Sequence, residues 1–374
     1  MLLLCACGSQ AADKGVNATQ PVRAPEVEEI DPFLSTPAAG ALYEMPVLII
    51  NYIPTTDGTN VDKAILGKST IADFKKKLLL FNKQTKFMLE EGSRYHGYQE
   101  SNARPTFGAR PSLGYRVVHI VTAYEIMPPG KRAGGKEKPE FFPDYIQILN
   151  RFKAGDWVTN HNVKEIWLWG YHTAGIVPVE SNMSSPTTGD ISNSYRDNND
   201  LPIYDRTFVL YNYNSMRSQN EAVHDHGHQL EAILSYVNQR QDRNTELFWD
   251  KFCGRANGRF QQGRCGNTHC PPNAKGDYDY QNMTLVESDC EDWTVDRSGK
   301  LKEVNAKRWG EISYPWPEGT APSGKIESHY YIYWMQNMPG YGNKIRLGDH
   351  TMNNWWEFTA EWDRSVRDGT GLYR

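Results

Sequence analysis

Apolar runs alternate with amphipathic stretches along the first two thirds of the chain, and this alternation predicts its secondary structure. Continuous apolar runs, rich in β-branched and aromatic residues, predict buried strands over 46–53, 115–126, 163–170 and 207–213. Apolar residues at helical spacing predict helices over 69–91, 144–152 and 218–237, the two long ones beginning at capping boxes. The order of these elements is typical of an α/β fold with a mostly parallel central sheet flanked by helices.

The last third of the chain has a different pattern. Residues 250–325 are rich in Gly, Asn, Arg and Pro. This composition predicts a loop-rich insertion, which we expect its cysteines to crosslink through disulfides. Aromatic helices are expected near 327–336 and 353–367. We expect these C-terminal helices to pack back onto the sheet, so that residues 43–374 form a single α/β domain.

The composition narrows the class of protein. The chain has 374 residues, with 41 Lys and Arg against 45 Asp and Glu, so its formal net charge is −4. Nucleic-acid-binding proteins normally present a basic surface, so we expect no nucleic-acid partner. No apolar run reaches the ~18 residues that a membrane-spanning helix needs. Aromatic residues make up 12% of the chain, and aromatic and Asn side chains suit the binding of sugar rings.

The N-terminal residues resemble the end of a bacterial lipoprotein signal. Leu4 and Ala6 lie three and one residues before Cys7, and a small residue follows it. Because no basic segment precedes this short apolar stretch, we expect residues 1–7 to be a truncated signal with Cys7 as the lipidation site. Residues 8–42, rich in Ala, Pro, Ser, Thr and Glu, predict a flexible tether. The expected location is the bacterial cell envelope, with membrane contact through the lipid alone, or outside the cell.

The remaining cysteines support an extracytoplasmic location. All four lie in the loop-rich segment, and they are Cys253, Cys265, Cys270 and Cys290. An even number of clustered cysteines predicts two disulfides, with three possible connectivities. Such bonds persist outside the cytosol. The alternative is a zinc site, but the chain contains no C-x-x-C pair of the kind that zinc knuckles use.

A histidine-rich string in the helix predicted over 218–237 is the strongest candidate for chemistry. At about 100° per residue, His224, His228 and Glu231 share one flank of the apolar stripe of this helix. The string H-D-x-x-H resembles the H-E-x-x-H motif of zincin metallopeptidases, in which two His one turn apart bind one metal ion. Asp225 replaces the Glu that acts there as general base, and its side chain is one methylene shorter. We predict that His224 and His228 hold zinc or another divalent metal, and we expect no other cofactor.

The motif does not supply a third ligand. Glu231 lies ~10 Å along the helix from His224, by the 1.5 Å rise per residue, so we expect it to orient a histidine rather than to bind the metal. Candidates elsewhere are Glu180, which is also an alternative general base, His172, and His269, which is an additional ligand or a catalytic acid. The alternative is that these histidines only form hydrogen bonds at a polar interface between helix and sheet.

Polar residues near the ends of the predicted strands are candidates for substrate binding. Ligands of open α/β sheets bind beyond the carboxyl ends of the strands. This rule selects Trp169, Asn182, Asn212 and Asn214. The sequence contains no nucleophile elbow, phosphate loop or dinucleotide fingerprint, so neither a serine hydrolase nor a nucleotide-binding protein is expected.

These patterns together predict an exported or lipid-anchored bacterial enzyme, a metal-dependent hydrolase that acts on a small molecule, a peptide or a glycan. One alternative is a non-catalytic envelope protein that binds glycans through aromatic and Asn side chains. A second alternative is a metal-free glycoside hydrolase with Glu180 and Asp225 as its carboxylates, which requires a separation of about 5–9.5 Å between the two groups.

Overall fold

A computed structural model describes residues 23–101, 109–134, 139–192, 200–242, 246–256 and 259–374. The strands are β1 (Glu26–Val27), β2 (Tyr43–Tyr52), β3 (Leu113–Ala123), β4 (Pro129–Gly134), β5 (Glu140–Pro143), β6 (Glu165–Gly170), β7 (Ser181–Ser184), β8 (Phe208–Asn214), β9 (Arg255–Ala256), β10 (Arg259–Phe260), β11 (Val286–Ser288), β12 (Lys302–Val304), β13 (Arg346–Leu347) and β14 (His350–Thr351). The helices are α1 (Pro32–Ser35), α2 (Lys63–Leu66), α3 (Ile71–Gly92), α4 (Tyr98–Ser101), α5 (Tyr145–Arg151), α6 (Ala154–His161), α7 (Gln219–Gln241), α8 (Ala306–Gly310), α9 (Lys325–Gln336), α10 (Trp356–Ala360) and α11 (Trp362–Arg367). A π-helix spans Leu247–Cys253 and a 3₁₀ helix spans Cys290–Asp292.

The central sheet has six strands and is mixed. Its strand order is β1-β3-β2-β6-β8-β7. The four inner strands run parallel, whereas β1 and β7 pair antiparallel at the two edges. The α/β class is therefore confirmed, and the expected mostly parallel sheet is corrected to a mixed one. Both edge strands are short and lack an apolar run, so periodicity could not reveal them.

The inner strands and long helices form where the sequence pattern places them. All residues of β6 and β8 are buried, which agrees with their continuous apolar runs. The α7 helix begins after Ser218, whose side chain accepts a hydrogen bond from the backbone N–H of Asn220. Because α7 starts soon after β8, its first turns lie near the carboxyl edge of the sheet. The α9 helix packs against α3 and α7, so part of the C-terminal region does return to the main body.

Part of the expected tether is folded. Within residues 23–42, β1 pairs with β3, and Leu34 of α1 is completely buried. The prediction of a flexible segment over 8–42 is thus corrected for these residues, because edge pairing and a single buried side chain anchor them. Residues 1–22, including the proposed lipidation site Cys7, lie outside the described residues. Within the described ranges, no helix combines the length and apolar character needed to cross a membrane.

The four cysteines of the C-terminal third are free thiols, so the predicted disulfides are absent and the prediction is corrected. Cys253, Cys265, Cys270 and Cys290 are all buried. The Sγ atom of Cys290 lies 3.0 Å from the hydroxyl of Tyr333. Contacts such as the buried ion pair between Arg264 and Asp289, at 2.6 Å, stabilise the segment instead. A free cysteine behaves as a small apolar side chain, so an even count in a loop-rich segment is also compatible with burial.

Candidate metal centre

Three histidine side chains converge beside α7. One nitrogen atom from each of His224, His228 and His269 lies within 4.8 Å of the others. The Nε2 atoms of His228 and His269 are 3.0 Å apart, near the ~3.3 Å edge of a tetrahedral site with Zn–N distances of ~2.0–2.1 Å. The three imidazoles are therefore close enough to hold a metal ion. His269 is brought to the pair from a position 41 residues beyond His228.

A glycine on α7 permits the approach of the loop that carries His269. A Cβ atom added at Gly227 would lie 2.6 Å from Oγ1 and 2.9 Å from Cγ2 of Thr268. Such distances are too short for van der Waals contact, so a larger residue at position 227 would require the Thr268 side chain to move. Gly227 stands between the two helix histidines and Thr268 stands directly before His269. The close contact therefore joins the residues that directly precede His228 and His269 in the sequence.

Hydrogen bonds, rather than disulfides, give the His269 loop its shape. Gly266 has a φ of +82°, which favours glycine, and a Cβ there would lie only 2.3 Å from the carbonyl oxygen of Cys270. The Asn267 side chain accepts hydrogen bonds from the backbone N–H groups of His269 and Cys270, at 2.9 and 2.8 Å. From α9, the hydroxyl of Tyr330 donates to the Asn267 carbonyl at 2.6 Å. These contacts position the His269 side chain towards α7.

Protein partners orient the two helix histidines. Nδ1 of His228 lies 2.9 Å from Oε2 of Glu231, and Oε1 of the same carboxylate accepts the backbone N–H of Thr268 at 2.8 Å. Glu231 thus orients a histidine, as the helical spacing predicts. Nδ1 of His224 lies 3.1 Å from the hydroxyl of Tyr331 on α9. Since Nδ1 of both rings is engaged, Nε2 is the atom that we expect to face a metal ion.

The protonation of the three imidazoles follows from burial and from neighbouring charges. Burial, together with His228 and His269, lowers the pKa of His224 to about 3. Burial and the neighbouring His228 also lower the pKa of His269. Burial acts in the same direction on His228, but the hydrogen bond and charge of Glu231 and the charge of Glu180 outweigh it, and its pKa is raised. Neutral imidazole is the form that binds metal, so His224 and His269 are already in that form at neutral pH.

A cavity of about 640 Å³ adjoins the histidines. Four carboxyl groups contribute to its wall, together with His224, Arg217 and two tyrosines; the carboxyl groups belong to Glu180, Glu221, Asp225 and Glu327. Burial raises the pKa of Glu221 to about 7 and that of Asp225 well above its ordinary value. The charges of Glu221 and Glu180 add to the effect on Asp225. The wall therefore concentrates acidic groups next to His224, one of the three imidazoles, and we call this space the acidic cavity.

The structure brings together some of the predicted site residues and separates others. Glu180 and Asp225 line the acidic cavity, and His269 joins the two helix histidines. His172 is exposed and does not belong to the histidine group. Glu221 and Glu327 are the residues that sequence reasoning missed. The sequence pattern indicates only a structural role for each of them: Glu221 as part of the capping box at the start of the helix predicted over 218–237, and Glu327 as the first residue of a predicted aromatic helix.

The predicted substrate-binding residues are part of the interior, so that prediction is corrected. Trp169 is completely buried and donates from Nε1 to Oδ1 of Asn82 at 2.7 Å. The hydroxyl of Tyr145 donates to Asn212 at 2.9 Å. Asn182 and Asn214 are also buried and hydrogen-bonded within the fold. The strand-end rule locates an edge of the sheet, but it does not say which side chains face solvent there.

The aromatic side chains of α9, which the glycan-binding alternative would use, are likewise buried, although Tyr331 also lines the acidic cavity. The residues from Tyr330 to Trp334 on α9 are all buried, and so is Asn337.

Comparison with protein-family models, curated proteins and solved structures finds no match for this chain.

Proposed function

We propose that this protein is a metal-dependent hydrolase in which His224, His228 and His269 hold a divalent metal ion, with zinc as the first candidate. The observation that carries the proposal is the convergence of three imidazoles, one of which, His224, lines a polar cavity. Three protein ligands leave one tetrahedral position open, as in catalytic zinc sites. When bound, such a metal supplies a Lewis acid that polarises a carbonyl oxygen and makes water a stronger nucleophile.

Glu180 is the better supported general base. It lines the acidic cavity, and its negative charge acts to raise the pKa of both His228 and His269. Glu180 would accept a proton from water as the new C–O bond forms at the carbonyl carbon. It would return that proton to the leaving nitrogen or oxygen as the old bond breaks. The pKa of Asp225, the other predicted base, is raised by burial and by the charges of Glu221 and Glu180, which makes Asp225 a weaker candidate for a base that starts as a carboxylate.

Metal analysis of the purified protein tests this proposal. We expect one equivalent of zinc per chain after incubation with Zn²⁺ and dialysis, and less than half an equivalent in His228→Ala and His269→Ala. His172→Ala is the control, because His172 is exposed and outside the histidine group. Glu180→Gln should keep the metal and lower kcat by about 10²–10⁴-fold on any amide or ester substrate that the enzyme turns over. Equal zinc content in the wild type and the histidine variants would contradict the proposal.

We also propose that the protein is exported and lipid-anchored through Cys7. The proposal depends on Leu4, Ala6 and Cys7 alone, because the cysteines of the C-terminal third do not form the disulfides that would have supported it. Expression in a bacterium behind a full-length lipoprotein signal that continues into Leu4–Cys7, with radiolabelled palmitate, should label the wild type but not Cys7→Ser. Cys5→Ser, two residues away, is the matched control and should remain labelled.

A further inference from the structure

The acidic cavity has more carboxyl groups than its own positive charge can balance. Four carboxyl groups and one guanidinium, that of Arg217, line it. The guanidinium of Arg217 forms an ion pair with Oε1 of Glu221 at 2.9 Å, and the Arg217 side chain is 63% exposed. Burial raises the pKa of Glu327, and the neighbouring Asn220 side chain acts in the opposite direction. These contacts leave Asp225 without a positive neighbour in contact.

Asp225 is a buried carboxyl group that faces the cavity without a partner. It is 2% exposed, and no hydrogen bond or ion pair joins it to any other residue in the described part of the chain. Oε2 of Glu221, one turn earlier on α7, is buried and also lacks a hydrogen-bond partner among the described residues. A buried polar group without a partner costs about 1–3 kcal/mol, and a charged group costs more. Oε2 of Glu221 is such an acceptor, and the Asp225 carboxyl group, which has no hydrogen bond among the described residues, opens onto the same cavity, so a ligand with several donors would satisfy both groups.

The spacing of the carboxyl groups favours an organic cation over a second metal ion. Among the residues that the structure describes, the three imidazoles have nitrogen atoms within 4.8 Å of one another, whereas the carboxylate oxygens of the acidic cavity form no such group of three. A metal ion requires oxygen ligands at about 2.0–2.6 Å, hence close to one another. A primary ammonium group can be held by two protein acceptors, because water can accept from its third N–H donor. The cavity, at about 640 Å³, also has room for the body of an organic molecule.

We infer that the acidic cavity binds a primary ammonium group, with Asp225 and Glu221 as its acceptors. Tyr331 and Tyr278 complete the wall, and aromatic rings add a favourable surface for a cation. His224 belongs both to this wall and to the metal-binding group. The ammonium group would therefore lie beside the bond that is cleaved. The assignment of the amine to the substrate rests on the proposed hydrolase function, whereas the binding of the amine does not.

Calorimetric titration of matched ligand pairs tests the inference. The first pair is L-alaninamide and N-acetyl-L-alaninamide, and the second is D-glucosamine and N-acetyl-D-glucosamine. The two pairs distinguish an amino-acid amine from a sugar amine. Each ligand is titrated into the full-length protein after removal of metal by EDTA, and again after loading with one equivalent of Zn²⁺. We expect at least one free amine to bind at least about tenfold more tightly than its acetylated counterpart.

Asp225→Asn and Glu221→Gln should each weaken binding of that amine by about tenfold or more. Both changes replace a carboxyl group by an amide of the same shape, and thermal unfolding measured in parallel checks that the variants fold. Glu303→Gln is the control, because Glu303 is exposed on β12.

The inference is overturned if neither free amine binds more tightly than its acetylated counterpart, or if Asp225→Asn binds the preferred amine as well as the wild type does. It is also overturned if the cavity instead takes up a second equivalent of zinc that depends on Asp225. Amine binding without any zinc binding would overturn the hydrolase proposal alone, and zinc binding without amine preference would overturn this inference alone.

Discussion

Oε2 of Glu231 lies 2.9 Å from Nδ1 of His228, and this contact connects the two segments that form the candidate metal centre. The other oxygen of the same carboxylate accepts the backbone N–H of Thr268, the residue before His269. One buried side chain therefore orients a histidine on α7 and holds the loop that presents a histidine from outside the helix. Such partners of metal ligands usually matter nearly as much as the ligands themselves.

Glu231→Gln should weaken zinc binding by about 10–100-fold. Gln has one acceptor oxygen instead of two, so it cannot accept from both His228 and Thr268. The measurement is a zinc dissociation constant from competition with a chromophoric chelator. Glu303→Gln, an exposed change of the same type, is the control. An unchanged dissociation constant in Glu231→Gln would show that the carboxylate does not support the metal centre.

Gly227→Ala should lower both stability and zinc affinity. In an open helix this change would stabilise by about 1 kcal/mol, but here the new Cβ would lie 2.6 Å from Thr268 Oγ1 and would displace the His269 loop. Thr268→Ala removes the obstructing atoms, and Oγ1 has no hydrogen-bond partner among the described residues. The double variant should therefore recover part of both losses. Urea unfolding and zinc titration of the four proteins form a double-mutant cycle, and strictly additive effects would contradict the proposed contact.

Glu165 should make stability fall as the pH rises. It is 1% exposed, accepts from Trp167 Nε1 and the Tyr115 hydroxyl at 2.8 and 3.2 Å, and faces Lys164 and His226. Burial raises the pKa of Glu165 from 4.5 to about 8. The folded state therefore holds the proton more tightly than the unfolded state. The stability that Glu165 contributes is complete below its unfolded pKa of 4.5 and is lost as the pH rises towards 8.

Glu165→Gln removes this titration. The unfolding free energy of the wild type should fall between about pH 5 and pH 8, whereas that of the variant lacks this fall. The difference between the variant and the wild type should therefore increase by an amount on the order of a few kcal/mol. Urea unfolding at both pH values measures the difference. Glu311→Gln, on an exposed side chain, should show no such gain. If the difference in unfolding free energy between the wild type and Glu165→Gln is the same at about pH 5 and pH 8, the carboxyl group of Glu165 does not titrate in this range.

The four described cysteines should resist alkylation in the folded protein and react fully after unfolding. Burial raises the pKa of Cys290 to about 12, and burial together with Asp277 raises that of Cys270 to about 12. The reactive thiolate is therefore scarce. Peptide mass spectrometry after iodoacetamide treatment, with and without urea and with no reductant, measures each site. Thiols that react in urea only after reduction would show that disulfides do form.

Local sequence patterns were sufficient for the elements that carry the helix histidines. Ser218 and Glu221 located the start of α7 because a cap depends on residues three positions apart. His224, His228 and Glu231 lie on one flank because helical geometry is the same in every helix. The continuous apolar runs located the inner strands for a similar reason. None of these inferences needed knowledge of a residue far along the chain.

Contacts between distant segments could not be inferred in that way. His269 reaches the helix because Gly227 allows a close approach and because Tyr330 of α9 holds its loop. Trp169 is in a strand that ends near the site, yet its side chain points into the core. The cysteines formed an even, clustered set in the sequence, but they occupy the interior as free thiols. In each case the outcome depends on what packs against the residue.

The sequence by itself determined the α/β class, the start of α7 and the pairing of His224 with His228, since these depend on spacing within one element. Only the tertiary structure decided that His269 is the third imidazole and that Asp225 and Glu327 share a cavity. The physical reason is that a metal centre or a ligand cavity requires side chains within a few ångströms. That proximity arises when α7, α9 and the His269 loop pack together, which no local periodicity encodes.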